Sequence, residues 1–570
     1  MTRAWKIKEN GHKDDISRLA ESLSVNPVIA TLLVQRGINT MDKARAFFRP
    51  ELSMLYDPFL MNDMEHAVER LKSAFMKGEK ILVYGDYDVD GTTSVAMVYS
   101  FIRRFHQEVD YYIPDRYAEG YGVSFKGIDY AISRGVSLVI TLDCGIKAIE
   151  KVAYARDHHI DVIICDHHTP GDVLPAAIAV LNPERPDSTY PFKSLSGCGV
   201  GFKLLQAYAM SNDIAFEVIC SYLDMVAVSI ASDIVPLVDE NRILAYHGLK
   251  KLNEDPGVGL KAIISVAGLA DKNITVDDIV FKIGPRINAA GRIESGKQAV
   301  ELLVSEKPAE AALHCEKINT HNQTRRNIDK NITEEALVEI ARADKYKYST
   351  VLYNPAWHKG VVGIVASRLI ESHYRPTIIL TESNGHATGS ARSIPGFDLY
   401  QAITECSDLL ESFGGHMYAA GITLKSENVQ RLRDRFEEVV KNSISPDLLI
   451  PQIEIDAELN FKDISPKLFR ILKQFEPFGP ENMNPVFFAE SVSDNGYARL
   501  VGNDEEHLQL GLIQEELPFT VFRAIAFNQA SHLHKIKKGP AFDIAYTLVE
   551  NNFRGTTTLQ LNIKDIKIEA

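Results

Sequence analysis

Three aspartates at alternate positions, in Tyr84-Gly85-Asp86-Tyr87-Asp88-Val89-Asp90-Gly91, constrain this chain more than any other feature. The short apolar run Lys80-Ile81-Leu82-Val83 before them reads as a buried strand. Residues 95–105, apolar at helical spacing, read as a helix. In an extended segment, residues two apart point the same way, so Asp86, Asp88 and Asp90 are expected to project from one side. Three carboxylates on one side repel each other unless a cation sits among them, and Mg or Mn prefer such oxygen donors. Gly91 is expected to allow a sharp turn into the helix. A solvated acidic turn is the competing reading; the position after a strand favours metal binding.

The next two hundred residues strengthen that reading. From about Tyr56 the pattern is strand, loop, helix, repeated. Strands are expected at 109–113, at 137–142 ending in Asp143-Cys144-Gly145, at 160–165 ending in Asp166-His167-His168, and at 178–181. Helical patterns at 126–134 and 147–158 lie between them. This alternation argues a mostly parallel, doubly wound α/β sheet, in which ligands bind beyond the carboxyl ends of the strands. The acidic triplet, Asp143 and Asp166-His167-His168 all fall at that edge. Asp233 sits near the end of an apolar helix, 222–235, where a carboxylate needs a partner unless the helix end is at the surface.

Two glycine-rich stretches are set aside. Gly197-Cys198-Gly199-Val200-Gly201 lacks the dinucleotide spacing and reads as a turn into a helix. Gly291-Arg292-Ile293-Glu294-Ser295-Gly296-Lys297-Gln298 is a near miss to a P-loop, ending in Gln where Mg needs a hydroxyl; Arg286 and Arg292 are free to hold phosphates instead. Residues 308–342 read as one long helix bridging two domains, and Arg325, Arg326 and Lys330 on it are either a solvated face or the wall of a groove. A second α/β domain starts near Tyr348, and Phe413-Gly414-Gly415-His416-Met417-Tyr418-Ala419-Ala420-Gly421 within it reads as a turn that lets a ligand come close. From about 450 the chain becomes strand-rich, at 453–455, 497–500, 508–510, 519–526, 543–549 and 557–563, which suggests a small OB-fold barrel with local charge from Lys535, Lys537, Lys538 and Arg554.

Bulk properties set the limits. A chain of 570 residues is too long for one core. The expected division is a helical cap at 1–55 over the adjoining α/β domain at 56–300, a connecting helix at 301–345, a second α/β domain at 346–447 and a barrel at 448–570. Hydrophobic content of 45% and charged content of 24% are ordinary for a soluble globular protein. No apolar run is long enough to span a membrane, and the first residues lack the apolar core of a signal peptide. Six scattered cysteines fit reduced thiols in a cytoplasm. A net charge of -14 argues against a protein that coats polyanions, but not against a local basic groove.

These residues together resemble a known family. Asp86-Tyr87-Asp88-Val89-Asp90, Asp143, Asp166-His167-His168 and Ser232-Asp233 resemble the four motifs of the DHH phosphoesterases. Gly414-Gly415-His416 with Ala419-Ala420-Gly421 resembles their companion DHHA1 domain. Trp357-His358, the run from Gly363 to Leu369 and the run from Gly284 to Arg292 resemble the RecJ exonucleases within that superfamily. The resemblance implies two divalent metal ions, Mn2+ or Mg2+. Asp143 would bridge them, Asp90, His167 and Asp233 would complete one site, and Asp88, with Asp86, would hold the other. It places Asp86 and His168 in the catalytic set, with His168 facing the scissile phosphate. Arg116, Arg292, Ser390 and Arg392 would bind the 5′ phosphate, with Tyr121 near the terminal nucleotide and Gly415 and His416 on the strand. The implied partner is single-stranded DNA with a free 5′ end, delivered by a single-stranded-DNA-binding protein and a helicase. A cytoplasmic monomer without membrane contact, acting in recombination and repair, is expected. Some relatives carry a further domain beyond the barrel.

The chemistry agrees. A phosphodiester repels hydroxide, and two divalent cations roughly 4 Å apart offset its charge and stabilise the leaving oxygen. Arginine forks around a terminal phosphate select one chemical end of a strand. A metal-dependent exonuclease releasing 5′-mononucleotides in the 5′ to 3′ direction is thus the leading reading. A small-substrate phosphodiesterase for short oligonucleotides or cyclic dinucleotides and an inactive single-strand-binding scaffold are the alternatives. The barrel favours a polymer, and the presence of every motif acid and both histidines disfavours the scaffold.

Overall fold

Ile81–Gly85 is buried along its whole length, as a strand covered on both faces must be. It pairs in parallel with Val109–Tyr112 on one side and Leu138–Leu142 on the other, and Asp161–Cys165 and Ala179–Leu181 continue the sheet. The chain leaves Ile81–Gly85 toward one edge and returns on its other side, so the strand order reverses between Ile81–Gly85 and Leu138–Leu142. A crevice opens at the carboxyl edge of such a switch point, and Asp86 and Asp143 end the two strands that flank it.

This computed structural model describes residues 3–342, 346–537, 539, 541–553 and 556–568. Lys538 and Arg554, counted above with the barrel's charge, lie outside the described residues. The chain divides into two compact units, one of Leu52–Val235 and Asp239–Ile450, the other of Met1–Glu51, Pro236–Val238 and Pro451–Ala570.

In the first unit, the acidic triplet is not extended. Asp88 caps the helix Val89–Phe105, accepting a hydrogen bond from the Gly91 N–H at 3.0 Å, so Asp90 is already helical. The cap satisfies a free amide of the first turn and starts the helix six residues earlier than its apolar pattern. Nor does Gly91 make a turn. A Cβ there would lie 2.5 Å from the Asp86 carbonyl oxygen, so glycine is required because the helix passes so close to the strand end. The expected helix at 222–235 is Leu223–Asp233, with Asp233 its last residue and Ile234 in the left-handed region, φ 60°. Pro308–Arg342 is one helix of 35 residues. Arg325 on it is neither solvated nor a groove wall: it is buried, donating to Asp329 at 3.0 Å and Asn322 at 2.6 Å. Farther along, Ile332, Ala336 and Ile340 pack with Leu352, Trp357 and Val361 of the second α/β domain.

That domain's sheet runs Ser412–His416, Ala419–Leu424, His386–Arg392, Thr377–Ser383, Thr350–Tyr353. Only the last pair is parallel. The glycine-rich segment read as a turn is a β-hairpin, with Gly414 opposite Gly421 and His416 opposite Ala419. Three glycines hid its strand character from propensity.

The second unit revises the cap. Helices Lys13–Leu23, Pro27–Gln35 and Met41–Phe48 do form. Their apolar residues Leu19, Ile29, Leu32 and Leu33 join one core with Leu468, Phe475, Phe487 and Tyr546 of the C-terminal segment. Ala4–Ile7 pairs in parallel with Gln452–Ile455, so the strand expected at 453–455 serves this two-stranded sheet and not the barrel. The barrel closes through Phe487–Asp494, Phe542–Phe553, Thr556–Lys567, Phe522–Ala526 and His507–Gln514, the last pairing back onto the first. Phe487–Asp494 had no clear signal in the sequence. A register shift between Ala489 and Val492, with Ser491 at φ 53°, breaks its alternation, as a bulge does.

Candidate metal centre and phosphate pocket

Five loops and helix ends bring the acids and histidines to the switch-point crevice. His167 is the hub: its Nε2 lies 3.1 Å from Asp143 Oδ1, 3.6 Å from Asp233 Oδ2 and 3.8 Å from Asp90 Oδ2. Two groups can each hold a metal ion, Asp143 with His167 and His168, and Asp90 with His167 and Asp233. Asp86 and Asp88 stand beside these groups and in neither.

Each acid is fixed by its local backbone. Asp143 follows its strand in the left-handed region, φ 57°, which aspartate tolerates better than most residues. Asp90 accepts from the Gly197 N–H at 2.7 Å, the Cys198 N–H at 2.8 Å and the Ser229 hydroxyl at 2.7 Å. The glycine-rich segment set aside above is the first turn of helix Gly197–Ser211. Its free amides do bind an anion, as helix N-termini do, but that anion is the protein's own Asp90. A Cβ on Gly197 would sit 2.6 Å from Asp143 Cβ, so glycine also makes room for the second acid.

Burial, and then the negative charge of neighbouring carboxylates, pushes Asp86, Asp143 and Asp233 well above the ordinary carboxylate range and raises Asp88. The crevice thus gathers more negative charge than it holds comfortably unaided. Asp86 is fully buried, and its Oδ2 has no hydrogen-bond partner. An orphaned carboxylate oxygen in a set of carboxylates and imidazoles fits a divalent cation. Burial, and then the charges of Asp166 and Asp86, push the Cys144 thiol well up, and Cys144 belongs to neither metal-holding group.

Asp166, which opens the histidine motif and was given no role from the sequence, is a candidate positioning residue. It accepts from the Ile146 N–H at 2.9 Å and binds His168 Nδ1 at 2.7 Å. Burial works against charge on His168, but the hydrogen bond and charge of Asp166 outweigh it and hold the imidazole at about 9. A buried carboxylate behind an imidazole fixes its tautomer and orientation. Asp166→Asn is expected to lower Mn2+ affinity, read by calorimetry, or kcat about 10- to 100-fold. Unchanged affinity and turnover together would contradict the orienting role.

Beyond His168 the site turns basic. The Tyr121 hydroxyl lies 3.0 Å from His168 Nε2 and 3.3 Å from the Asp143 carbonyl. Arg116 lies over the Tyr87 ring at 4.1 Å, and its Nε is buried without a partner. Arg292 donates to the Gly360 carbonyl at 3.0 Å. Burial, and then the charges of Arg116, Arg325 and Arg392, pull it down to about 10. Arg392 donates to Ser390 Oγ at 2.6 Å. Arg292 thus feels the charge of both Arg116 and Arg392, an arrangement suited to an anion. Arg286 is not shown to belong to it: it donates to the Lys282 carbonyl, and the charge it feels is Arg326.

The hairpin meets this pocket in register. Gly414, Gly421 and Ser390 form one cross-strand row, and His416, Ala419 and Arg392 the next on the same face. Arg392 lies close enough for its charge, after burial, to pull His416 down. Gly415 belongs to the row between, where a Cβ would strike the Ala419 carbonyl at 2.2 Å; its φ is 151°. A Cβ on Gly414 or Gly421 would meet nothing within 4 Å, and neither has a positive φ. No neighbour within the protein therefore requires glycine at these two exposed positions.

The chain resembles known proteins along its length. Residues 80–230 match the DHH family N-terminal domain, 343–442 the DHHA1 domain and 455–565 the RecJ OB domain. The chain is similar to the single-stranded-DNA-specific exonuclease RecJ of Bacillus subtilis, 37% identical over 99% of this chain and 71% of that protein. It is also similar to RecJ of Escherichia coli, 32% identical over 95% of this chain and 96% of that protein. Among solved structures, RecJ of Thermus thermophilus in complex with Mn2+ matches with a TM-score of 0.85 at 26% identity, covering 100% of this chain and 80% of that one.

Proposed function

Because this chain belongs to the RecJ family of DHH phosphoesterases, we propose that it is a metal-dependent exonuclease that degrades single-stranded DNA from the 5′ end to 5′-mononucleotides. The observation that carries this reading is the adjacency of two unlike sites. A carboxylate–histidine cluster suited to divalent ions and a pocket of three arginines are linked through Tyr121, whose hydroxyl bonds His168 and whose ring meets Tyr87, on which Arg116 rests.

Mn2+ or Mg2+, which the Thermus relatives hold, would be bound by Asp90, Asp143, His167 and Asp233, with Asp86 and Asp88 as ligands of a second ion. When bound, such ions offset the charge of the diester and activate water for attack. The chain's own residues do the rest. Asp166 holds His168 toward the scissile phosphate. Arg116, Arg292, Ser390 and Arg392 take the 5′ phosphate and so place the first diester at the acids. Tyr121 lies beside the terminal nucleotide, and Gly415 and His416 contact the strand from the hairpin, where Gly414 and Gly421 let it lie flat. The barrel supplies a groove for the strand. Delivery by a single-stranded-DNA-binding protein and a helicase, a monomeric state and a cytoplasmic location complete the proposal; no helix among the described residues is long and apolar enough to cross a membrane.

The test uses one single-stranded oligonucleotide labelled at either end in separate samples, with and without Mn2+. Label should leave first as a mononucleotide from the 5′ end, only with metal, and not from duplex. Cleavage confined to very short oligonucleotides would point instead to a small-substrate phosphodiesterase, and binding without cleavage to a scaffold.

A further inference from the structure

Arg292 feels the charge of Arg116 and Arg392 and must be held against it, and here no carboxylate does so at salt-bridge distance. Among the described residues, Arg116, Arg292 and Arg392 make no salt bridge within 4.0 Å. Each is tied by a neutral group instead. Arg392 donates to Ser390 Oγ at 2.6 Å and to the Ala391 carbonyl at 2.8 Å. Arg116 rests on the Tyr87 ring at 4.1 Å. Arg292 is held at both ends: its guanidinium donates to the Gly360 carbonyl at 3.0 Å, and its own carbonyl accepts from the Tyr117 hydroxyl. This knot has no slack, since a Cβ on Gly360 would lie 2.6 Å from both the Arg292 carbonyl oxygen and the Tyr117 hydroxyl oxygen. The Tyr117 ring also meets His358 edge to face at 6.3 Å, so it spans from the loop after Val109–Tyr112 to the segment that enters the second α/β domain's helix Val362–Ser372.

Neutral tethers have a physical purpose. A carboxylate would hold an arginine more strongly, but it would neutralise the pocket and repel an incoming phosphate. A ring face, a hydroxyl oxygen or a backbone carbonyl ties a guanidinium and leaves its charge available, and at Arg292 the Tyr117 hydroxyl adds a tie to the main-chain carbonyl of the same residue. We infer that Tyr117 is a positioning residue that fixes Arg292 for the terminal phosphate and thereby sets selectivity for 5′-phosphorylated ends. The inference rests on the reading of the arginine pocket given above. Without the Tyr117 hydroxyl, Arg292 keeps its charge, but repulsion from Arg116 and Arg392 moves it off the two-pronged geometry that a phosphate needs. Cleavage at the acids is not expected to suffer directly.

The experiment compares full-length wild type with Tyr117→Phe, measuring kcat/KM in Mn2+ on the same oligonucleotide with a 5′ phosphate or a 5′ hydroxyl. The phosphate-to-hydroxyl ratio should fall about fivefold, the effect of one net hydrogen bond, with the hydroxyl-ended rate moving less than about twofold. Gly360→Ala, which displaces both atoms of the knot, should lower the ratio as well. An equal fall on both ends, the mark of a merely structural tyrosine, would overturn the inference, as would an unchanged ratio. Arg392→Ala is run alongside. If it too leaves the ratio unchanged, the pocket assignment falls and the inference with it. If it lowers the ratio while Tyr117→Phe does not, only the inference falls.

Discussion

Asp143→Ala is expected to lower hydrolysis by at least about 10³-fold while binding of a single-stranded oligonucleotide stays within a few-fold. Asp143 ends the strand on one side of the switch point, is 2% exposed, and lies 3.1 Å from the hub histidine. Its removal takes an acid from the crowded crevice, so metal affinity falls with turnover. The arginine pocket is fixed by Tyr87, Tyr117, Gly360 and Ser390, none of which depends on Asp143. Binding therefore persists. Asp143→Asn is the companion variant, because asparagine accepts the left-handed backbone at φ 57° and removes only the charge. Turnover by both variants in Mn2+-supplemented buffer, alongside a filter-binding isotherm, decides the matter. Retained cleavage would falsify the place of Asp143 at the centre of the metal site.

Gly91→Ala should have the second largest effect, although Gly91 touches no substrate. A Cβ there would lie 2.5 Å from the Asp86 carbonyl oxygen and 2.7 Å from its backbone carbon and nitrogen. These are strand-end atoms that cannot move aside as a flexible side chain can. Helix Val89–Phe105 must lift away, carrying Asp90 and its cap Asp88 with it. Overpacking of this kind costs about 1–3 kcal/mol, and a shift of about 1 Å in the acids is enough to cost about 10²-fold in rate. The expected result is a lower melting temperature together with lost stabilisation by Mn2+. A variant that melts like wild type and gains the same stabilisation from Mn2+ would show that the helix does not need this close approach.

The sequence carried the chemistry of the site further than its geometry. The residue types at the ends of three predicted strands were enough to place Asp86, Asp143 and His167 at one sheet edge, because a parallel sheet sends every strand's carboxyl end the same way. It could not show that Asp90 joins them from a helix, since that depends on a side-chain cap at Asp88 and not on periodicity. Nor could it show the partner of Asp90. The amides of Gly197 and Cys198 lie more than a hundred residues away, and a glycine-rich helix start reads alike whether its anion is a ligand or a carboxylate of the same chain.

What the sequence determined by itself was the parallel α/β order, the gathering of acids and histidines at one sheet edge and the strand-rich C-terminal region, because these follow from period, residue type and spacing along a local segment. The tertiary structure alone decided four matters. The N-terminal helices pack into the core of the C-terminal segment. The glycine-rich hairpin lays an open face beside Ser390 and Arg392. The His167 imidazole stands among Asp90, Asp143 and Asp233. Neutral groups tie Arg116, Arg292 and Arg392. Each of these joins residues far apart in the chain, and closing such distances depends on the packing of whole elements, to which no local pattern of residues is sensitive.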